Sequence, residues 1–60
     1  MYIIESVSNR KMFFKKLSHG KKDIAFDKKD AGTFDDYETA CRIANELEQA
    51  TRIRWIVTIC

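Results

Sequence analysis

The sequence predicts a single α+β domain over residues 1–60, with the element order β-β-β-α-β, a four-stranded mixed sheet and one helix packed on one face of it. Three observations carry this reading. Lys22-Asp23-Ile24-Ala25-Phe26-Asp27 alternates polar and apolar residues with the period of a half-buried strand. Tyr37, Ala40, Cys41, Ala44 and Leu47 fall on one stripe of a helix, with Arg42, Glu46 and Glu48 mostly off it. Between the two, Phe34-Asp35-Asp36-Tyr37-Glu38-Thr39-Ala40 reads as a capped helix start, with Asp35 as N-cap and Glu38 as its capping-box partner. The acidic first turn suits the positive end of the helix dipole.

The elements follow in order. Tyr2 to Val7 is a β-rich run, and so is Met12 to Ser18. They are separated by Ser8-Asn9-Arg10-Lys11, where Asn9 suits a positive φ, so the pair predicts a hairpin. A second turn at His19-Gly20 leads into the alternating strand Lys22 to Asp27. A polar connection, Asp27 to Thr33, reaches a helix expected from Asp36 to about Ala50. No glycine ends that helix, so its last turn near Thr51 is expected to fray or pass straight into the final strand, Ile53 to Ile59. A helical crossover that sets the last strand beside the first gives the spatial order 3-2-1-4.

Pairing the strands through two-residue turns assigns their faces. Tyr2, Ile4, Phe13, Leu17, Ile24 and Phe26 fall together as the core beneath the helix, interrupted by Lys15. Ile3, Val7, Met12, Phe14 and Ala25 share the opposite face with Glu5, Lys16 and Asp23. Nothing in the remaining chain is expected to cover that face, and an open apolar patch on so small a protein marks an interaction surface.

Size and charge point the same way. Sixty residues give a marginal core, which makes a protein partner or a homodimer an expected source of further contacts. The net charge of +2 conceals an asymmetry: eight Lys and Arg stand against four Asp and Glu in residues 1–30, and three against five in residues 31–60. Basic strands and an acidic helix would orient an anionic partner or a second copy of the chain. The opening Met1-Tyr2-Ile3-Ile4-Glu5 carries no signal-peptide pattern, and no run approaches a membrane span, so the expectation is a cytoplasmic protein of a bacterial host with no membrane partner.

The chemistry of catalysis is sparse. Cys41 and Cys60 form no CxxC pair, and the single histidine, His19, has no second histidine with which to hold zinc. A disulfide between the cysteines is not favoured, because strand parity sets Cys60 with Ile56 and opposite Ile53, Trp55, Val57 and Ile59, the residues that should face the helix. Asp35, Asp36 and Glu38 are explained by helix capping, and Gly20 and Gly32 are isolated, so no phosphate loop exists. The reading is a protein that is not an enzyme and needs no cofactor. Ile3, Met12, Phe14 and Lys16 are the candidate partner-binding residues. The alternative is a small nucleic-acid-binding protein using Lys15, Lys16, Lys21 and Lys22 on basic strands with Phe13, Phe14 and Phe26 among them.

Two resemblances accompany these residues. Ala31-Gly32-Thr33-Phe34-Asp35-Asp36-Tyr37-Glu38-Thr39-Ala40 resembles the strand-to-helix junction of small phage and prophage proteins, whose compact sheet-plus-helix members include anti-CRISPR-type inhibitors. That resemblance implies inhibition of a host defence or nucleic-acid-processing enzyme by protein–protein contact, and it carries over no individual residue. The order of three strands and a helix is also similar to the arm-type DNA-binding domains of tyrosine integrases, which implies Lys15, Lys16, Lys21 and Lys22 on groove-entering strands. The expected fourth strand departs from that pattern, and no catalytic domain is expected within these sixty residues.

Overall fold

A computed structural model describes residues 1–8, 10–18 and 20–59. Strands β1 (Tyr2–Ser6), β2 (Phe13–Ser18) and β3 (Lys21–Ala25) are followed by a short 3-10 turn (Lys28–Asp30), helix α1 (Tyr37–Thr51) and strand β4 (Trp55–Ile59). The strands lie in the order β3-β2-β1-β4, as the crossover argument requires. Every pairing is antiparallel, however, so the sheet is not mixed.

The reason lies in residues 26–36. Gly32 N–H donates to the Phe14 carbonyl of β2 at 2.9 Å, and Phe34 and Tyr2 exchange backbone hydrogen bonds of 2.8 and 2.9 Å. The segment therefore occupies the opening where β1 and β2 part, and it returns the chain to the beginning of β1. Helix α1 then starts beside Tyr2, whose ring meets Tyr37 edge-on at 5.3 Å, and runs alongside β1, so β4 comes back antiparallel to it. Gly32 is required by space: a Cβ there would stand 2.0 Å from the Lys15 carbonyl oxygen.

Register corrects the facing assignment of β2. Glu5 stands opposite Phe13, one residue away from the two-residue-turn pairing, and a one-residue change exchanges the faces of a strand. Side-chain hydroxyls stabilise the longer connection: Met12 N–H donates to Ser6 Oγ at 2.9 Å and Ser8 Oγ donates to the Arg10 carbonyl at 2.6 Å. Phe14, not Phe13, thus packs beneath α1, in a core of Ile4, Ala40, Ala44, Leu47 and Trp55, with Tyr2, Met12, Ile24, Phe34, Ile43 and Val57 at its margin. In the second hairpin Ser18 stands opposite Lys21, as a two-residue turn demands, but a bulge between Phe14 and Lys16 shifts the far end. Phe26, expected in the core, lies beyond β3 and is 61% exposed beneath the Arg10 guanidinium, 4.6 Å from its ring centre.

The helix begins one residue later than expected. Asp36, not Asp35, is its N-cap, accepting from Thr39 N–H at 3.2 Å and Thr39 Oγ1 at 2.7 Å. These bonds, the Thr39 hydroxyl first, hold the Asp36 carboxyl below its usual pKa. The far end does not fray. Arg52 adopts a left-handed conformation, φ 64°, and its N–H donates to the Glu48 carbonyl at 2.8 Å, closing the helix without glycine. Thr51 Oγ1 donates to the Leu47 carbonyl at 2.7 Å and accepts from Trp55 Nε1 at 2.9 Å, which fixes the indole in the core.

Expectations for the φ of Asn9, the packing of Leu17, the turn at His19 and the pairing of Cys60 lie outside the described residues. Cys41 is a free, half-buried thiol.

Candidate interaction surface

The four candidate partner-binding residues do not form one open patch. Ile3 is 2% exposed and Phe14 is 3% exposed; Met12 lies half-buried at the helix-side core, and Lys16 is exposed. Phe14 and Met12 are on the helix side because of the register change. Ile3, Phe13 and Ala25, on the opposite side of the sheet, are buried as well, where an uncovered face was expected. The 3-10 turn packs against β2, and Lys11 Nζ reaches Glu5 at 3.9 Å.

The basic strands likewise do not gather their charge. Lys21 and Lys22 are neighbours on β3 and point to opposite faces, and Lys16 stands opposite Asp23 in the register. Lys15 and Lys16 meet at a cleft of about 360 Å³ with Phe14, Thr33, Phe34, Thr39 and Ile43. Its floor is the stacked pair Phe14 and Phe34, with ring centres 5.9 Å apart.

The two outer edges of the sheet differ in kind. β3 carries Lys21, Lys22 and Asp23, and charges of that sort discourage another strand from pairing. β4 reads Trp-Ile-Val-Thr-Ile, with no charge, proline or bulge. Its hydrogen-bonding polarity follows from one contact: Val7 N–H donates to the Arg54 carbonyl at 2.8 Å, with Ser6 opposite Trp55. Alternation then points the backbone groups of Ile56 and Thr58 at β1, and those of Trp55, Val57 and Ile59 away from the sheet. Among the described residues no backbone partner meets these three. Ile59 is 77% exposed and Ile56 is 40% exposed on the same strand.

Beside this edge lies a second cleft, of about 440 Å³, between α1 and β4. Tyr37, Cys41, Ala44 and Asn45 form one wall, and Trp55 and Val57 form the other. Cys41 raises the pKa of the Tyr37 phenol, first through side-chain hydrogen bonding and then through charge, so the phenol is neutral at physiological pH. The strand order expected from the sequence already sets β4 outermost, but strand faces, not strand edges, decided the candidate residues. The signal was nonetheless present: Trp55 to Ile59 is an uncharged, strongly β-forming segment.

Among the described residues no group of three or more His, Cys, Asp or Glu side chains is placed to hold a metal ion, and no helix is long and apolar enough to cross a membrane. Compared with protein-family models, curated proteins and solved structures, the chain matches none.

Proposed function

We propose that this protein is a non-enzymatic binding module that recruits a protein partner by adding a strand to the outer edge of β4. The single observation that supports the reading is the edge itself: outward-pointing backbone groups of Trp55, Val57 and Ile59 on a strand with no guarding charge. Strand addition uses the backbone for affinity and flanking side-chain pockets for selectivity, and the cleft between α1 and β4 supplies such a pocket. The phage-inhibitor resemblance of the junction Ala31 to Ala40 suggests the class of partner, a host defence or nucleic-acid-processing enzyme of the cytoplasm.

The test compares baits in host extract. Ile59→Lys places a charge on the open edge, whereas Lys22→Glu alters the guarded edge of β3. Partners captured by wild type and by Lys22→Glu but lost with Ile59→Lys support the reading. Identical capture by all three refutes it.

A second reading, nucleic-acid binding, rests on the cleft that joins Lys15 and Lys16 to the Phe14 and Phe34 rings. Cations at the rim would hold phosphate while the half-buried Phe34 ring, backed by Phe14, receives a base. Such binding weakens steeply with salt, because each neutralised phosphate releases counterions. Anisotropy titrations with single-stranded and duplex DNA at two salt concentrations test it, and no binding at low salt removes it.

A further inference from the structure

We infer that the occupant of the β4 edge is the β4 edge of a second copy of this chain, paired antiparallel about a two-fold axis at Val57. This rests on the strand-addition reading, and it sets a second copy of the chain, not a host enzyme, on that edge. In that register Val57 meets Val57 of the copy, and Trp55 meets Ile59 of the copy on both sides of the axis. Each outward N–H then faces an outward carbonyl, and no other antiparallel register pairs all three outward residues.

The side chains fit the same symmetry. Trp55, Val57 and Ile59 share the helix-side face of β4. Among the described residues Ile59 is the most exposed of the large hydrophobic side chains, at 77%. Directly opposed side chains in a sheet stand about 5 Å apart, so Ile59 of one copy falls beside Trp55 of the other, at the cleft bounded by Cys41, Ala44 and Asn45. One chain therefore supplies both the projecting group and the recess, at equal distances from the axis. That is the condition for a closed, isologous interface.

Charge selects the same occupant. β4 and the cleft residues Tyr37, Cys41, Ala44 and Asn45 include no Lys, Arg, His, Asp or Glu, so two copies of a +2 chain meet there without opposing such charges. A charged peptide would find no opposite charge among these residues. The molecule also has surface to cover: its accessible area is 4390 Å², against about 4,000 Å² for a folded monomer of 7.0 kDa.

Sedimentation equilibrium of the whole chain across a concentration series tests the inference. Wild type is expected to reach twice 7.0 kDa, as is Lys22→Glu. Ile59→Lys and Ile59→Pro are expected to remain at 7.0 kDa with an unchanged far-ultraviolet spectrum. Proline is tolerated there because the Ile59 N–H points away from β1. Amide exchange of wild type adds a readout independent of any variant: protection at Trp55, Val57 and Ile59 should rise with concentration. A 7.0 kDa species at every concentration whose edge amides exchange freely overturns the two-fold pairing while leaving the edge open to another protein. Protected edge amides in a monomer overturn both readings. A dimer that persists in Ile59→Lys places the contact elsewhere and overturns the inference.

Discussion

Replacing Gly32 by alanine tests the account of the topology most directly. The added Cβ would lie 2.0 Å from the Lys15 carbonyl oxygen, where such contacts are essentially never under 3.0 Å, and the obstacle is backbone that cannot rotate aside. Relief requires a displacement of about 1 Å, enough to carry a hydrogen bond beyond its useful length. Three bonds hold the segment: Gly32 to Phe14 at 2.9 Å, and the Phe34–Tyr2 pair at 2.8 and 2.9 Å. At about 1 kcal/mol each, their loss costs roughly 3 kcal/mol. The stiffer unfolded chain returns about 0.4–1 kcal/mol, leaving a net destabilisation of roughly 2 kcal/mol. A domain of this size has only about 3–9 kcal/mol in total. With a urea dependence of about 1 kcal/mol/M, the unfolding midpoint should fall by about 2 M. Gly20→Ala is the control, since Gly20 has φ +77° and nothing within 4 Å of the added Cβ, so only the left-handed backbone penalty of about 1 kcal/mol remains. A Gly32→Ala midpoint within about 0.3 M of wild type would refute the wedge between β1 and β2.

Three further outcomes are expected. Asp36→Ala should lower the urea midpoint at neutral pH, whereas Asp35→Ala should leave it nearly unchanged, reversing the assignment made from the sequence. Because the folded-state pKa of Asp36 is depressed, its contribution is present above the usual carboxylate value of 3.8 and is lost as pH falls through the lower folded value, so acid titration should close the gap between wild type and Asp36→Ala. Thr51→Val leaves the Trp55 indole N–H without its acceptor and should cost about 1–3 kcal/mol, with a change in tryptophan emission that a surface substitution such as Gln49→Ala does not produce. Arg52→Gly removes the penalty of a left-handed non-glycine residue and should raise stability by about 0.5–1 kcal/mol net, read as a higher midpoint.

The helix and most of the element boundaries were legible because they depend on local periodicity, and the strand order because a helical crossover returns the last strand beside the first. Tyr37, Ala40, Ala44 and Leu47 fall on one stripe whichever residue caps the helix, so the choice between Asp35 and Asp36 left the packing face intact. Strand facing was less legible, since it depends on the length of a connection. Ser6 and Ser8 stabilise a connection that shifts the β1–β2 pairing by one residue, and that shift exchanges Phe13 for Phe14 in the core. The Lys15 bulge is similarly invisible to alternation, because it compensates a mismatch between β2 and β3 that exists only after both have paired. The candidate site inherited these errors. Ile3, Met12 and Phe14 were grouped by a parity that the first turn breaks. The uncharged composition of β4 and its outer position were both legible in the sequence; what parity of faces does not give is which of its backbone groups point outward, since that depends on the β1–β4 register.

That position follows from the same connection that needs Gly32. A shorter link would start the helix at the far end of β3 and bring β4 in parallel to β1. The return of the chain to Tyr2 instead makes β4 an antiparallel outer strand whose odd-numbered backbone groups point away from the sheet. Two of its residues could not carry a guarding charge, because Trp55 and Val57 pack against the core beneath α1. Ile56 and Ile59 could, since both are exposed, and a lysine at either would have blunted the edge at little cost to the fold. Both are isoleucine. On β3 the lysines are in place. The contrast between the two edges is what supports the proposal that another strand adds to β4.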